Sequence, residues 1–241
     1  MKVFVVIPTY NEAENIERLC RALCALPQVG GVLVVDDASP DGTAAKAQAL
    51  AGQLPVRVLR RAAKNGRGGA VLDGIAAGLA DPSYTHFVEM DADFSHDPAA
   101  LPGLLAAANR YDVVIGSRYV PGGCISNWPL SRRIFSVFAN YFARFMLGVP
   151  VRDYTGGYRC YSRRSMEALD RALVQPKGFI ALSAILLQLY LKGFTVGEVP
   201  IHFVNRVRGE SNMTRREVAE AFLTVWQLRR LRKILPGPSK R

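Results

Sequence analysis

Short apolar runs alternate along the first half of the chain with segments whose apolar residues recur at helical spacing. The pattern predicts five β-strands, at Val3–Ile7, Val32–Val35, Val56–Leu59, Phe87–Met90 and Asp112–Ile115. Between them it predicts helices at Glu14–Ala25, from Thr43 to near Gly52, at Gly66–Ala80 and from Pro98 to Ala108. This alternation predicts an α/β fold of Rossmann-like type, with a mainly parallel sheet and helices on both faces.

The second half of the chain is dominated by amphipathic segments. After Pro129 one predicted helix carries a wide apolar surface, made of Ile134, Phe135, Val137, Phe138, Tyr141, Phe142, Phe145, Met146 and Leu147. The spacing of apolar residues predicts a second amphipathic helix over residues 214–235, which combines Trp226 with several arginines. Each helix fits either a core position or contact with a lipid surface. We expect one domain over residues 1–235 and a disordered tail over 236–241.

The composition indicates a globular enzyme with an anionic partner. The chain has 241 residues, 49% of them hydrophobic, which suffices for a full core. Its 31 basic and 20 acidic residues give a formal charge of +11, which indicates a nucleotide, a nucleic acid or a lipid surface as partner. A nucleic acid is the least favoured, because the aromatic residues lie on apolar faces and are not interleaved with the basic ones.

The cysteines and the N-terminus favour a cytoplasmic location. The four cysteines contain no Cys-x-x-Cys pair, so free thiols are expected. The first residues predict a strand and lack a charged region followed by a cleavage site, so no signal peptide is expected. The longest nearly uncharged apolar run, Phe179 to Leu191, has 13 residues, and a bilayer span needs about 20. Any membrane attachment is therefore expected to be peripheral.

Paired aspartates follow two of the predicted strands. Asp91 and Asp93 come after the fourth strand, and Asp36 and Asp37 follow the second. Mg²⁺ is commonly held by one or two carboxylates together with the phosphates of a substrate. The sequence therefore predicts a nucleotide–metal site, with Asp91 and Asp93 as ligands of Mg²⁺ or Mn²⁺.

Six segments resemble, in order, the motifs of the family 2 glycosyltransferases, and within them the dolichyl- and polyprenyl-phosphate mannose synthases. They are Ile7–Glu12 (IPTYNE), Val34–Thr43 (VVDDASPDGT), Met90–Pro98 (MDADFSHDP), Gly116–Tyr119 (GSRY), Asp153–Arg159 (DYTGGYR) and Val199–Arg206 (VPIHFVNR). The resemblance runs from Val5 to about Leu235. It implies a GT-A type fold, a nucleotide-sugar donor, a lipid-phosphate acceptor and inversion at the anomeric carbon.

The expected donor site follows the first, second and fourth strands. Pro8, Tyr10 and Glu12 are placed near the nucleobase and ribose, with uracil or guanine implied by the resemblance. Asp37 is expected at the base or ribose and Asp91 near the ribose–diphosphate. The predicted donor-binding set also includes Ala92, Arg118 and Arg206. A helix cap is the alternative role for Asp37, although Asp41 or Thr43 suits that role better. The role of Arg67, in a glycine-rich turn, stays open.

Arginines form the expected phosphate-handling set, because a guanidinium can bind a phosphate through two parallel hydrogen bonds. Its members are Arg118, Arg132, Arg133, Arg159 and Arg206. Arg132, Arg133 and Ser136 are expected at the acceptor phosphate, and the predicted catalytic residues are Asp93, Arg118 and Arg159. A lipid monophosphate is already largely anionic, its second pKa being about 6, so no general base is required. His96 and His202 are therefore expected to be structural.

Three positions depart from the family pattern, and each removes a charge: Ala184, Asn205 and Asn212. The expected function is metal-dependent transfer of a hexose, with mannose from GDP-mannose favoured, to a polyprenyl or dolichyl phosphate at the cytoplasmic membrane face. Two alternatives stay open: a polyprenyl-phosphate transferase that uses a UDP-sugar, and a nucleotide-sugar-binding protein with impaired turnover. A separate partner that anchors the protein to the membrane is also compatible with the sequence.

Overall fold

A computed structural model describes residues 1–64, 66–174, 180–205 and 225–235, without the side chains of residues 233 and 234. The strands are β1 (Val3–Thr9), β2 (Val29–Asp36), β3 (Val56–Arg60), β4 (His86–Glu89), β5 (Val113–Ser117), β6 (Cys124–Ser126), β7 (Arg159–Ser162), β8 (Val196–Pro200) and β9 (His202–Val204). The helices are α1 (Ile16–Cys24), α2 (Thr43–Gln48), α3 (Arg67–Leu79), α4 (Leu101–Ala108), α5 (Leu130–Leu147), α6 (Arg163–Glu167), α7 (Ile180–Leu191) and α8 (Leu231–Ile234), with 3₁₀ turns at Pro98–Ala100 and Arg171–Leu173.

Seven strands form one sheet in the order β3-β2-β1-β4-β7-β5-β8. Strand β7 runs antiparallel to both of its neighbours, and the other pairs in this sheet are parallel. Strands β6 and β9 pair separately, in parallel. The carboxyl ends of β1, β2, β4 and β5 therefore meet at one edge of the sheet, and β7 begins at that same edge. The predicted mainly parallel α/β sheet is confirmed.

The alternation of side chains along β1 divides the core into two layers. Phe4 and Val6 pack on one face, with apolar residues of α3 and α7. Val5 and Ile7 pack on the other face, with residues of α1, α2 and α4. Successive side chains of a strand point to opposite faces, so a strand that is apolar throughout requires cover on both sides. The predicted helices on both faces are confirmed.

The observed element boundaries differ from the predicted ones where local signals were weak. Strand β2 begins at Val29, three residues earlier than expected, because Val29 and Gly31 pair with β1. The helix predicted to start at Pro98 starts as a 3₁₀ turn, capped by a hydrogen bond from the Ala99 amide to Asp97 Oδ1 (2.9 Å). Helix α2 ends at Gln48, short of Gly52.

Helix α5 confirms the helix predicted after Pro129 and has two unlike faces. Ser136, Asn140, Ala143 and Leu147 point inward. The outer face exposes Leu130, Ile134, Val137, Phe138, Tyr141 and Phe145. A core position therefore accounts for only one side of this helix. No helix in the described part of the chain is both long enough and apolar enough to cross a bilayer.

The second predicted amphipathic helix, residues 214–235, lies mostly outside the described residues, as does the tail 236–241. Residues 225–228 are helical, and α8 follows after a turn. Leu228 and Leu231 are buried, and Arg232 donates a hydrogen bond to the Leu147 carbonyl at the end of α5. The apolar side of this segment therefore packs on the domain, whereas Trp226 remains 53% exposed.

Asp112, the residue before β5, is hydrogen-bonded to β7, to α6 and to the residue before β8, at the end of the sheet opposite the carboxyl ends of the parallel strands. Its carboxylate accepts hydrogen bonds from Arg164, Ser162 and Thr195. Burial alone would raise the pKa of this carboxyl, but these hydrogen bonds outweigh it and lower the pKa.

We expect Asp112→Asn to lower the free energy of unfolding by about 1–3 kcal/mol at neutral pH, because charged hydrogen bonds are lost. Exposed Arg164 adds little as an ion pair. Since the folded pKa is depressed, the stabilisation is complete above the ordinary Asp pKa of about 4 and is lost as pH falls through the folded value. Urea titrations between pH 3 and 7 should show the two proteins converging in acid. A constant difference across that range would contradict this role.

Candidate active site

The loops that leave β1, β2, β4 and β6 each contain a non-glycine residue with a left-handed backbone. These are Asn11 (φ 61°), Ala38 (φ 56°), Phe94 (φ 58°) and Asn127 (φ 61°). Such conformations cost of order 1–3 kcal/mol and cluster at functional sites. The first three of these loops carry Tyr10, Glu12, Asp37, Asp91 and Asp93, and the fourth leads into α5, which carries Arg132, Arg133 and Ser136.

Hydrogen bonds fasten the loops after β1 and β2 to each other. The Asn11 amide donates to Ser39 Oγ (3.0 Å), and the Ala13 amide donates to Asp41 Oδ2 (3.0 Å). Ser39 Oγ in turn donates to Asp36 Oδ1 (2.5 Å). The structure thus brings the segment containing Tyr10 and Glu12 against the segment containing Asp37.

Among the predicted base- and ribose-binding residues, Tyr10 is the most accessible. The residue is 40% exposed, and Lys64 Nζ lies 3.8 Å from its ring centroid. Pro8 is partly buried within β1. Glu12 Oε2 accepts a hydrogen bond from Asn15 Nδ2 (3.0 Å), so this carboxylate also stabilises the start of α1.

Asp37 is buried behind this loop pair and does not cap α2. Its carboxylate accepts hydrogen bonds from Arg61 Nη1 (2.6 Å) and the Gly66 amide (3.2 Å). The N-cap position of α2 is Gly42, and Asp41 Oδ1 accepts a hydrogen bond from the amide of the first helical residue, Thr43 (3.0 Å). Of the two aspartates, Asp41 is therefore the one that bonds the start of α2.

Asp91 and Asp93 leave β4 together, on either side of buried Ala92. Asp93 Oδ1 accepts hydrogen bonds from the Ser95 amide (3.0 Å) and Ser95 Oγ (2.6 Å). Asp91 Oδ1 accepts one from Arg67 Nε (2.7 Å). The two carboxylates are hard oxygen donors of the kind that Mg²⁺ and Mn²⁺ bind.

In the described part of the chain no group of three or more His, Cys, Asp or Glu side chains could hold a metal ion. Two carboxylates suit Mg²⁺ or Mn²⁺, because such cations commonly take one or two carboxylates and complete their coordination with substrate phosphates and water.

His96 is buried beside Asp91 and hydrogen-bonded to its backbone amide. Its Nδ1 accepts a hydrogen bond from the Asp91 amide (3.0 Å), and its ring stacks on Tyr158 with centroids 5.2 Å apart. Burial lowers the pKa of His96, which keeps the ring neutral. The other histidine that was expected to be structural, His202, shares a hydrogen bond with Ser126 Oγ (2.6 Å).

Arg118, at the end of β5, is held by Asp153, a residue for which the sequence patterns predicted no role. Arg118 Nε and Nη2 donate to the two Asp153 oxygens (2.8 and 2.7 Å), and Nη2 also donates to Thr155 Oγ1 (2.6 Å). Burial opposes ionisation of Asp153, but the charge of Arg118 outweighs it and lowers the pKa of Asp153. The pair is a buried, bidentate ion pair.

Trp128 brings two of the predicted arginines together. The guanidinium carbons of Arg132 and Arg118 lie 4.2 and 5.5 Å from its ring centroid. Its indole Nε1 is buried and has no hydrogen-bond partner among the described residues. Arg132 Nη1 also donates to Asn205 Oδ1 (3.3 Å). This group, Arg118, Trp128 and Arg132, is called the arginine–tryptophan cluster below.

A chain of ring contacts joins this cluster to the carboxylates. Phe203 lies 5.5 Å from Trp128 and 5.5 Å from His96, between ring centroids, and His96 binds the Asp91 amide. The arginine–tryptophan cluster is therefore linked to the Asp91 backbone through two successive ring contacts and one hydrogen bond.

The family of the chain is shown by its similarity to a family model and to curated relatives. The sequence model described as glycosyl transferase family 2 matches residues 4–170. The chain belongs to glycosyl transferase family 2. The resemblance seen in the six motifs is confirmed, and the chain is a glycosyltransferase.

Two curated relatives span almost the whole transferase. Polyprenol monophosphomannose synthase of Mycolicibacterium smegmatis is 45% identical over 234 residues, 95% of this chain and 88% of the relative. Undecaprenyl-phosphate mannosyltransferase of Micrococcus luteus is 44% identical over 227 residues, 93% of each chain.

The fold also matches a solved transferase. Glucosyl-3-phosphoglycerate synthase from Mycobacterium tuberculosis, in complex with Mn²⁺, UDP and phosphoglyceric acid, superposes with a TM-score of 0.68 at 21% identity. The match covers 98% of this chain and 80% of that one. The expected GT-A type fold is confirmed.

Two of the predicted phosphate-handling arginines of the transferase have other partners. Arg159 is fully buried and donates to the carbonyls of Gly156, Leu182 and Tyr154 (2.8, 2.7 and 2.6 Å). It fastens β7 to α7 and lies away from the surface, and its catalytic role stays a prediction. Arg133 donates to the Ile125 carbonyl (2.6 Å).

The remaining predicted residues fall into two groups. Ser136 lies on the inner face of α5, where its Oγ accepts a hydrogen bond from Tyr119 Oη (2.7 Å). Arg206 lies outside the described residues, as does Asn212. Two other positions depart from the family pattern. Ala184, on α7, is fully buried in the hydrophobic core, and Asn205 Oδ1 accepts a hydrogen bond from Arg132.

Proposed function

We propose that this transferase moves a hexose, with mannose from GDP-mannose favoured, onto the phosphate of a polyprenyl or dolichyl lipid. One observation carries the proposal: a chain of ring contacts, from Trp128 through Phe203 to His96, joins the arginine–tryptophan cluster to the loop that carries Asp91 and Asp93. Such an arrangement suits two phosphorylated substrates, one bound through a cation and one through guanidinium groups. The two curated relatives, named for mannose transfer to polyprenol and undecaprenyl phosphate, support the same assignment.

On the donor side, Tyr10, Glu12, Asp37 and Pro8 would surround the base and ribose. Asp91 and Asp93 would hold Mg²⁺ or Mn²⁺, which when bound neutralises charge on the departing diphosphate. The solved neighbour binds Mn²⁺ and UDP, which supports a divalent cation here. The carboxylates fix the diphosphate at the end of β4.

On the acceptor side, Arg118 and Arg132 would bind the lipid phosphate, assisted by Ser136. The buried Trp128 N–H points to a further hydrogen bond, because buried donors are nearly always satisfied in a complete site. The acceptor oxygen is anionic near neutral pH, so it can attack the anomeric carbon without a general base. The neutral, enclosed His96 agrees with a supporting role. One attack from the face opposite the diphosphate inverts the configuration.

A panel assay tests the proposal. The protein is incubated with GDP-mannose or UDP-glucose, a short polyprenyl phosphate and Mg²⁺, Mn²⁺ or EDTA, and lipid-linked sugar is extracted and counted. Transfer from GDP-mannose that EDTA abolishes is expected. Transfer from UDP-glucose alone would favour the UDP-sugar alternative. Nucleotide binding without any product would indicate a binding protein with impaired turnover.

Arg132→Lys is expected to raise the KM for the lipid phosphate about tenfold, because lysine keeps the charge but loses the planar fork and its stacking on Trp128. The KM for the nucleotide sugar should change little. Arg110→Lys is the matched control, because Arg110 also lies beside an aromatic ring, Tyr111 (5.9 Å), but at the opposite edge of the sheet. An unchanged lipid KM in Arg132→Lys would remove Arg132 from the acceptor site.

We further propose peripheral attachment to the cytoplasmic membrane face through the outer face of α5. Its exposed apolar residues form a continuous stripe, in which Phe138 and Phe145 are 56% and 78% exposed. The helix has three arginines and no acidic residue. An apolar stripe flanked by arginines suits an anionic lipid surface.

Flotation with vesicles containing anionic lipid measures this attachment. Binding is expected at low salt, with a several-fold decrease at about 0.5 M salt, where the Debye length falls to a few ångströms. Phe138→Ser with Phe145→Ser should reduce binding at both salt concentrations without unfolding the protein, because both rings are largely exposed. Vesicle binding of the double variant equal to that of a binding wild type would rule out α5 as the attachment face. Absence of binding in both would point to a separate anchoring partner.

A further inference from the structure

Arg67 lies against Asp91, one of the two carboxylates proposed to hold a divalent cation. Its three guanidinium nitrogens each donate a hydrogen bond: Nε to Asp91 Oδ1 (2.7 Å), Nη1 to Glu89 Oε2 (2.7 Å) and Nη2 to the Gly157 carbonyl (2.8 Å). Asp91 is thus already paired with a positive charge of this chain.

The position of Arg67 is built into the fold. Glu89, the last residue of β4, is fully buried, and its second oxygen accepts a hydrogen bond from Tyr161 Oη (2.6 Å) on β7. Burial keeps the Tyr161 phenol protonated by raising its pKa, and the neighbouring carboxylate raises it further. A buried carboxylate requires a cation, and Arg67 is the cation that the structure places against it.

Gly157 completes the binding site of the Arg67 guanidinium. A Cβ atom at position 157 would lie 2.4 Å from Arg67 Nη2, a distance that excludes any side chain while Arg67 stays in place. The glycine pair 156–157 therefore does more than form a turn, because it leaves the space that the arginine fills. Arg67, Glu89 and Gly157 form one unit, although they lie in three separate segments of the chain.

We infer that Arg67 is a resident counter-cation of Asp91, which makes binding of a divalent cation depend on a nucleoside diphosphate. Without nucleotide, an entering Mg²⁺ or Mn²⁺ has to compete with the guanidinium for Asp91 and is repelled by its charge. A diphosphate supplies negative charge to both cations and offers acceptors for the Nε–H that leaves Asp91. Metal and nucleotide then bind as a coupled pair, and Arg67 is a positioning residue for the diphosphate.

This inference rests on the proposed donor site, and it makes a separate, measurable claim about coupling. Thermodynamic coupling is reciprocal, so the factor by which a diphosphate tightens metal binding equals the factor by which metal tightens diphosphate binding. The wild type should show a factor of at least about ten with GDP or UDP, a usual size for coupled sites. With GMP, which has no diphosphate, the factor should be near one.

The test compares the wild type with the double variant Arg67→Met/Glu89→Gln. The double change removes one positive and one negative charge, so the local net charge is kept. Asp91 loses the guanidinium group that is hydrogen-bonded to it. The amide oxygen that replaces the Glu89 carboxylate can still accept the hydrogen bond from Tyr161. Arg67→Met alone would leave Glu89 buried without a cation and is at risk of unfolding. Glu89→Gln alone keeps Arg67 on Asp91 and is the control for the loss of the carboxylate.

Electron paramagnetic resonance of free Mn²⁺ gives the metal affinity directly, with and without nucleotide, and calorimetry gives the nucleotide affinity with and without Mn²⁺. For the double variant we expect Mn²⁺ alone to bind about tenfold tighter than to the wild type, and the coupling factor to fall below about three. Glu89→Gln should not tighten Mn²⁺ binding. Circular dichroism and urea titration establish that each variant is folded.

An unchanged Mn²⁺ affinity and an unchanged coupling factor in the folded double variant would overturn the inference. So would a wild type that binds Mn²⁺ equally well with and without nucleotide. A wild type that binds no Mn²⁺ under any condition also overturns it. The transfer assay, run in parallel, judges the proposed function separately, because lipid-linked product can form or fail to form whatever the coupling factor is.

Discussion

Replacement of Asp93 by Asn is expected to lower hexose transfer at least about 100-fold, a barrier increase of about 2.7 kcal/mol, while the protein stays folded. Asn keeps the size of the side chain and an oxygen that can accept from the Ser95 amide. It removes the negative charge that the proposed cation needs. Initial rates at saturating donor and acceptor measure the effect, and thermal unfolding establishes that the variant is intact.

Asp97→Asn provides the matched control. Asp97 lies four residues further along the same loop, is exposed, and accepts a hydrogen bond from the Ala99 amide (2.9 Å). The same chemical change there should alter the rate less than about twofold, since surface substitutions away from a site rarely matter. If Asp93→Asn keeps more than about a tenth of wild-type turnover, a penalty below about 1.4 kcal/mol, Asp93 is not a metal ligand.

The second large effect is expected at Asp153. Asp153→Asn should lower the free energy of unfolding by about 3–5 kcal/mol, because removing one partner of a buried ion pair leaves the other charge uncompensated. Transfer should fall with it, since Arg118 loses the carboxylate that orients it (2.7 and 2.8 Å). Urea titration gives the stability, and the rate per folded molecule gives the activity.

Two further variants separate stability from function. Asp112→Asn removes a hydrogen-bonded carboxylate at the opposite edge of the sheet, so it should lose stability but keep its turnover per folded molecule. Arg118→Met with Asp153→Leu replaces the pair by apolar groups and should recover much of the stability, but not the transfer. If that double variant were active, Arg118 would have no role at the acceptor phosphate.

The parts of the fold that local pattern determines were predictable. Apolar runs and helical spacing indicated β1 to β5 and the helices between them, because burial on both faces of a parallel strand leaves a continuous apolar signature. The paired aspartates were found because strand ends in such sheets meet at one edge. Strand β7 was missed: Arg159–Ser162 has four residues, with an arginine at its start.

That missed strand explains why the burial of Arg159 was not predicted. A Gly-Gly turn followed by an arginine suggests an accessible phosphate ligand. In the sheet, however, Arg159 pairs with Glu89 on one side and Ile115 on the other. Side chains of a central strand point to the two faces of the sheet, and both faces are covered here, so the side chain of Arg159 is buried. This placement depends on pairings across more than 40 residues of sequence.

The contacts of Arg67, Asp153 and Trp128 were beyond sequence reasoning for the same reason. Arg67 meets Glu89 and Asp91 at separations of 22 and 24 residues and Gly157 at 90. Asp153 meets Arg118 at a separation of 35. Trp128 had a local signal, since it precedes Pro129 and the arginines of the first turn of α5. Only the structure shows both guanidinium groups against its ring.

The antiparallel strand β7 also constrains how the polypeptide assembles during synthesis. Strands β5 and β8 reach the rest of the sheet only through β7, which joins β4 to β5. Until residue 162 has left the ribosome, β4 has no neighbour on the side that β7 later occupies. Strand β5 then has no strand through which it can join the sheet. An unpaired central strand is a site for association between nascent chains. Strands β1 to β4 can thus pair early, whereas β5 and β8 join the sheet only with a strand that begins 42 residues after β5 ends.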